Sequence, residues 1–317
     1  HINAEMQEKI KEMIYYYIKL GLYIMRTSAT VSGLVAVRKP NGSPRICSDF
    51  RWLNTHLKAY NSFIPNVRTE MEKMKEFTYF NELDWYKAFR QIPIDEQSKE
   101  LLAMVTPWGV VQPNYLPEGV GPASAIMQDI VTKIFAPVFA FSVCIADNII
   151  IGGHDLDDLY NKTSKVLELA RQYNVILSID KSNFGVRCVK FFGYQIKENC
   201  YTIDDNKRTA VKDLIMPMNQ KQMKSFLGFA NFFSPFIEGY AHKAALLHNM
   251  TRKEYNWKDI EDIKRHKIAF DQMKTAMANA TDIFFPDRTF IWILRTDASE
   301  YAVGGTLLQV IPGHIAR

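Results

Sequence analysis

Two carboxylates stand out by where they fall. Asp84 ends the run Phe80-Asn81-Glu82-Leu83-Asp84. Asp147 sits in Ile145-Ala146-Asp147-Asn148, between two segments too apolar to lie anywhere but in a core. Acids at the ends of neighbouring central strands can hold divalent metal ions. A pair of Mg²⁺ ions held there can activate a 3′-hydroxyl and stabilise a departing pyrophosphate. Each acid also has a plainer role open to it. Asp and Asn are favoured in hairpin turns for conformational reasons, so 146–148 can be a turn and nothing more. Asp84 can cap backbone at a strand end.

The elements that must position these acids follow from hydrophobic period and turn chemistry. Residues 4–24 carry Met6, Ile10, Met13, Ile14, Tyr17 and Ile18 at helical spacing. Residues 35–38 and 45–50 read as strands joined by a turn around Asn41-Gly42, a hairpin with Arg38, Lys39 and Arg45 near its tip. Helices are expected at 67–77, 122–135 and 155–173. Strands are expected at 78–84, 101–106, 110–116, in two pieces across 139–151, near 175–180, at 189–196 and at 200–203. From about 205 the texture turns helical, with helices at 206–214, 219–231, 240–250 and 262–279 punctuated by Pro217 and Pro235. Strands return at 289–295 and 303–310.

Composition bounds the function classes. The 317 residues suit two domains, or two and a fragment. With 47% hydrophobic and 23% charged residues the chain is globular rather than disordered, collagen-like or a coiled-coil rod. The longest near-apolar run, 135–146, contains Pro137 and is too short for a membrane span of about 20 residues. Charged residues from Glu5 to Glu12 argue against a signal peptide. Thirty-nine Lys and Arg against 34 Asp and Glu give a net charge of +5, which permits a polyanionic partner without demanding one. Cys47, Cys144, Cys188 and Cys200 form no CxxC pair, so reduced thiols in an intracellular chain are expected.

The motifs together are more specific than any one acid. Arg45-Ile46-Cys47-Ser48-Asp49-Phe50-Arg51-Trp52-Leu53-Asn54 resembles the fingers motif of gypsy-type LTR-retrotransposon reverse transcriptases. Leu83-Asp84 with Phe89-Arg90-Gln91-Ile92 resembles the family's first palm motif. Leu116-Pro117-Glu118-Gly119-Val120, followed by 123–128, resembles its template and nucleotide-pocket motif. Ile145-Ala146-Asp147-Asn148 falls where the family has Tyr-x-Asp-Asp. Phe191-Phe192-Gly193-Tyr194 is similar to its primer grip, residues 225–233 to the segment leading through its thumb, and Thr296-Asp297-Ala298-Ser299, with Tyr301 and Gly304, to the first strand of its RNase H-like domain.

The resemblance implies an α+β, right-hand polymerase. Fingers and palm would span 1–204, thumb and connection helices 205–285, and the start of a truncated RNase H-like domain 286–317. By the same resemblance Asp84 and Asp147 bind Mg²⁺ or Mn²⁺, with Asn148 completing the catalytic set. Lys39, Arg45, Phe89, Glu118 and Gly119 form the nucleotide site, Arg45 offering a planar fork to phosphate. Phe89 is implied to be the gate that excludes a ribose 2′-hydroxyl. Phe191, Phe192 and Gly193 hold the primer, and Asp297 is the remnant of a second metal site. The implied partners are an RNA template, a DNA primer, their hybrid and deoxynucleoside triphosphates, met in the cytoplasm or a retroelement particle. Phosphate contacts are expected in a basic cleft lined by Lys39, Arg45, Arg51, Lys221 and Lys224.

The chain departs from the family at the site that the resemblance implies rather than in its scaffold. Asn148 replaces the second Asp, Ile145 the Tyr, and Glu118 an aromatic residue or Gln; Ser124 stands where a Pro is usual. Only Asp297 lies in the RNase H-like motif, so no RNA-degrading activity is expected of these residues. The expected function is RNA-directed DNA polymerisation. The alternative is a catalytically impaired, retroelement-derived scaffold or nucleic-acid-binding subunit of a larger protein assembly.

Overall fold

A computed structural model describes residues 4–38, 42–287, 289–298 and 303–310. The chain divides into two units, one of residues 1–70 and 81–185, the other of residues 71–80 and 186–317.

In chain order the elements to residue 186 are α1 (Ala4–Lys19), β1 (Tyr23–Met25), β2 (Ser32–Arg38), β3 (Pro44–Asp49), α2 (Arg51–His56), α3 (Val67–Glu72), β4 (Tyr79–Trp85), α4 (Glu96–Leu101), β5 (Met104–Thr106), β6 (Gly109–Pro113), α5 (Ala123–Phe135), β7 (Ser142–Ile145), β8 (Asn148–Gly153), α6 (Leu156–Gln172) and β9 (Leu177–Val186). They build a five-stranded sheet ordered β1-β6-β5-β2-β3 and a four-stranded sheet ordered β7-β8-β4-β9. On the five-stranded sheet, Ile10 and Ile14 of α1 bury against Ile46, Met104 and Val111. This is the apolar stripe that the helical spacing predicts.

Against the four-stranded sheet, α5 buries Met127, Val131 and Phe135, and α6 buries Leu159 and Val166. The approach of α6 to β8 is close: a Cβ on Gly153 would stand 2.7 Å from the backbone nitrogen of Leu159, so only glycine fits there. Asn81 and Thr163, both buried, satisfy each other across the interface, the amide donating to the hydroxyl at 2.7 Å.

The local differences from the expected elements have identifiable causes. The first helix stops at Lys19 rather than running to 24. Gly21, at φ +70°, lets its N–H reach Ile18 O while Leu22 N–H reaches Tyr17 O, the paired bonds of a Schellman stop. Residues 96–101 are helical because Asp95 caps them, accepting the Ser98 N–H at 2.9 Å, so the strand expected from 101 begins only at Met104. The helix expected over 67–77 ends at Glu72. The strand expected near 175–180 runs on to Val186.

The remaining elements are β10 (Cys188–Phe191), β11 (Tyr194–Lys197), β12 (Cys200–Ile203), α7 (Asp205–Lys212), α8 (Gln220–Phe232), α9 (Tyr240–Asn249), α10 (Ile260–Ala278), β13 (Ile283–Phe284), β14 (Ile291–Ala298) and β15 (Val303–Val310). The order β10-β11-β12-β13 makes a second four-stranded sheet, and β14 and β15 form an antiparallel pair. Segment 189–196 is not continuously extended. It folds into β10 and β11 through a two-residue turn in which Phe192 (φ +46°) and Gly193 (φ +85°) are both left-handed, the form whose twist matches a hairpin. The helical core is aromatic and sulfur-rich: Phe226 packs on Phe270 with ring centroids 4.8 Å apart, and Leu247, Met273 and Met277 are fully buried. All four cysteines are free. Among the described residues no helix is long and apolar enough to cross a membrane.

Candidate active site

β8 and β4 are neighbours in the first unit's four-stranded sheet, and this adjacency brings the two acids together. Ile145 pairs with Asn148, so Ala146 and Asp147 form a two-residue loop between β7 and β8. Ala146 takes φ +52°, a left-handed conformation that is uncommon for a residue with a side chain. Three hydrogen bonds hold the loop. Trp85 N–H, one residue after Asp84, donates to Asp147 O at 3.0 Å. The buried amide of Gln128, on α5, accepts from Ala146 N–H at 3.0 Å and donates to Cys144 O at 3.2 Å. One glutamine thus satisfies both edges of the turn.

The exit from β4 is tied down in the same way. Gln91 donates to the carbonyls of Tyr86 and Ile176 and accepts from Ile176 N–H at 2.8 Å. On the far side of β4, β9 presents Lys181, whose ammonium lies 3.3 Å from Asp84 Oδ1. The Asp84 side chain is 18% exposed. Asn148 Nδ2 lies 3.4 Å from Asp147 Oδ1. Ile145 is buried in the core.

The donor set at this corner is two carboxylates and an amide oxygen. Among the described residues, no group of three or more His, Cys, Asp or Glu side chains is placed to hold a metal ion. Hard oxygen donors in this number still suit Mg²⁺, which commonly takes one or two protein carboxylates and fills its remaining positions with water and substrate phosphate. The residues present therefore fit such an ion, held by fewer charges than a three-carboxylate site would give it.

Three of the nucleotide-site candidates, Arg45, Glu118 and Gly119, lie at the 116–121 loop. Gly119 needs its φ of +95° more than it needs space, because a Cβ there would meet only Phe50 at 3.9 Å. Asn54 clasps the loop, donating to Gly119 O at 3.1 Å and accepting from Gly121 N–H at 2.7 Å. Glu118 forms an ion pair with Arg45, and this contact raises the guanidinium's pKa above its usual value. Both side chains are about half exposed, 55% for Arg45 and 43% for Glu118. Such a pair contributes at most about 1 kcal/mol and is easily exchanged for another ligand. Phe89 sits half-buried in a short 3₁₀ turn, Ala88–Gln91, that follows β4. Lys39 lies outside the described residues.

Arg51 is almost wholly exposed and engages Asp49 at 2.6 Å, holding that carboxyl down at about 2. Lys221 and Lys224 are exposed on α8 of the second unit. In that unit, Phe191 is buried and Phe192 exposed at the β10–β11 turn, their rings edge to face at 4.8 Å. Lys207 packs its ammonium against Gly193 and over the Phe232 ring, 3.4 Å from its centroid. Asp297 lies in β14 opposite Gly304, and its side chain is outside the described residues, as are Ser299 and Tyr301.

Reading the sequence alone misses Lys181, Gln91, Gln128 and Asn54 as parts of this arrangement. For Lys181 no apolar alternation carries the strand past Ile179. The three amides lie inside the quoted motifs, and a polar side chain flanked by core residues is the signal that marks them.

The model for "Reverse transcriptase (RNA-dependent DNA polymerase)" matches residues 37–196, and that for "RNase H-like domain found in reverse transcriptase" matches residues 263–316. Similar proteins include the retrovirus-related Pol polyprotein from transposon opus of Drosophila melanogaster, 29% identical over 86% of this chain and 28% of that protein. The transposon Tf2-7 polyprotein of Schizosaccharomyces pombe is 27% identical over 90% of this chain and 22% of its own length. The chain thus spans about a quarter of the polyproteins it matches. A foamy viral protease–reverse transcriptase in complex with double-stranded DNA has a TM-score of 0.86 at 19% identity, covering 98% of this chain and 54% of that one. A foamy viral protease–reverse transcriptase in complex with an RNA/DNA hybrid gives 0.80 at 18% identity, covering 99% of this chain and 42% of that one. At these identities the likeness establishes the fold.

Proposed function

Since this chain belongs to the reverse transcriptase family and carries the polymerase domain of a gypsy-type retroelement polyprotein, we propose that it extends a DNA primer on an RNA template by two-metal nucleotidyl transfer. The observation that carries the reading is the Trp85 N–H to Asp147 O bond at 3.0 Å, which fixes two acids of neighbouring strands at one corner of the sheet. In this proposal residues 1–204 act as fingers and palm, 205–285 as thumb and connection, and 286–317 open the RNase H-like domain. Work of this kind belongs in the cytoplasm or in a retroelement particle.

Asp84 and Asp147 would hold Mg²⁺, or Mn²⁺ in its place. Bound there, the ions supply Lewis-acid activation of a primer 3′-hydroxyl and charge stabilisation for the departing pyrophosphate. Lys181 neutralises part of the charge of Asp84 before an ion arrives. Asn148 offers an amide oxygen without charge. Arg45, with Lys39, binds the triphosphate of an incoming deoxynucleotide, and its planar fork suits phosphate oxygens. Phe89 crowds the position of a ribose 2′-hydroxyl, and Gly119 lets backbone approach the nucleotide. Phe192 and Gly193 place the primer terminus, and Arg51, Lys221 and Lys224 meet nucleic-acid phosphates, so binding weakens linearly in log salt. Asp297 is the family's RNase H-like acid.

Primer extension on an RNA template with Mg²⁺ or Mn²⁺ tests the proposal. Incorporation is expected for this chain and is expected to fall by about 10²–10³-fold or more in Asp84→Asn and Asp147→Asn, a loss of the size seen when one transition-state contact is removed. Tight, salt-sensitive binding of primer–template with no incorporation in either metal would replace catalysis with a binding role.

A further inference from the structure

Glu118 is the acid that the family does not expect, and it lies beside the residue proposed to bind triphosphate. A carboxylate released from Arg45 at that moment would face the incoming phosphates and repel them. The same narrow cleft that Glu118 lines is lined by Arg90, Tyr23 and Cys47. Arg90 lies with its guanidinium over the Tyr17 ring, 4.3 Å from the centroid, and its Nη1 is buried without any hydrogen-bond acceptor. A buried cationic donor with no acceptor is uncommon, because desolvating it costs more than leaving it in water.

We propose that Arg90 is the second seat of Glu118: as a nucleoside triphosphate takes Arg45, the Glu118 carboxylate passes to the unpaired Nη1 of Arg90. The inference rests on the nucleotide role proposed for Arg45. The half-exposed Arg45–Glu118 pair contributes little energetically and exchanges readily. In the loaded site each guanidinium has an anion, Arg45 the triphosphate and Arg90 the glutamate. No covalent bond changes; one ion pair is exchanged for two. Arg90 is thereby a positioning residue, acting on the nucleotide through Glu118 rather than by touching it.

The test is a double-mutant cycle on the full chain bearing an RNA–DNA primer–template. For wild type, Glu118→Gln, Arg90→Gln and the double variant, it measures the dissociation constant of the complementary dNTP together with KM and kcat. Melting is followed for each. Glu118→Gln removes the competitor and is expected to tighten dNTP binding several-fold. Arg90→Gln strands the carboxylate and is expected to weaken binding by about five- to tenfold, within the range measured for coupled neighbours. The change should appear in KM with kcat little altered. In the Glu118→Gln background, Arg90→Gln should have no further effect, and Arg90→Lys should recover part of the loss.

Equal weakening by Arg90→Gln in both backgrounds, or none in either, overturns the exchange while leaving the polymerase reading intact. A dNTP bound by none of the four forms overturns both. Should Arg90→Gln fail to fold, a structure of the wild-type chain with dNTP decides. A Glu118 carboxylate oxygen within hydrogen-bond range of Arg90 Nη1, about 3 Å, supports the exchange, and Glu118 still on Arg45 refutes it.

Discussion

Trp85 and Asp147 are joined through their backbones, N–H to O at 3.0 Å, so the strand that carries one acid is stapled to the loop that carries the other. The backbones that carry the two acids are therefore held together by main chain. That bond joins main-chain atoms, so it does not depend on which side chains stand at 145 and 148.

Gln128 is expected to be the most sensitive residue outside the acids. It satisfies Ala146 N–H and Cys144 O from a fully buried position. Gln128→Ala should cost about 2–4 kcal/mol, because the buried Cys144 carbonyl loses its partner at about 1–3 kcal/mol and the partly buried Ala146 N–H loses its partner at the lower end of that range. Urea denaturation measures this, and primer extension should fall with it. A loss under 0.5 kcal/mol would show that water or a shifted turn replaces the amide.

Asn148→Asp should tighten metal binding and raise incorporation. Asn148 lies 3.4 Å from Asp147 Oδ1, so a carboxylate there would face the same ions. At about 4 Å and an effective dielectric near 20, a unit charge gains roughly 4 kcal/mol against another and about double against a dication, before desolvation is counted. A Mg²⁺ titration of extension rate is expected to shift its midpoint down by about tenfold or more. Without metal, melting should change little or fall slightly from repulsion with Asp147. An unchanged midpoint would show that two carboxylates suffice here.

Gly193→Ala should destabilise the hairpin of β10 and β11. Its φ of +85° costs an alanine about 1–2 kcal/mol, and the Lys207 ammonium occupies the space that a Cβ needs. Lys207→Ala alongside it should recover only the second part. Equal losses with and without Lys207, read by urea denaturation, would assign the whole cost to the backbone.

The Asp49–Arg51 pair predicts an acid-side dependence that one substitution removes. Arg51 holds the Asp49 carboxyl at about 2, below its ordinary 3.8, chiefly through the side-chain hydrogen bond. A depressed carboxyl contributes stability that is fully present above its unfolded pKa and is lost as pH falls through the folded one. The contribution should therefore vanish between about pH 4 and pH 2. Melting profiles of wild type and Arg51→Gln should converge below pH 2 and separate above 4. Parallel profiles throughout would show that solvent screens the pair completely.

Much of this arrangement is legible in the sequence, because its signals are local. The apolar segments around Asp147 become β7 and β8, and the periodic stripe of 155–173 becomes α6 (Leu156–Gln172). What is hidden depends on tertiary pairing. Residues 180–183, Asp-Lys-Ser-Asn, have no strand pattern of their own and are extended because β4 lies beside them. That is how Lys181 reaches Asp84. The end of α1 and the start of α4 were within reach, since Gly21 and the Asp95–Ser98 cap are ordinary stop and start signals. The ion pair of Arg45 with Glu118 joins residues 73 apart in the chain, and no spacing announces it.

The two-residue loop at Ala146-Asp147 has a consequence for how this corner can evolve. Ile149, Ile150 and Ile151 are fully buried, and Gly153 lies under α6 where no Cβ fits, so β8 cannot slide to absorb an extra residue. An insertion would have to bulge out of the loop, drawing the Asp147 carbonyl away from Trp85. A deletion would leave too few residues to turn. Mutations that add or remove a codon here are therefore rejected by the scaffold before any chemistry is tried, a harsher filter than exchanges of one residue for another meet.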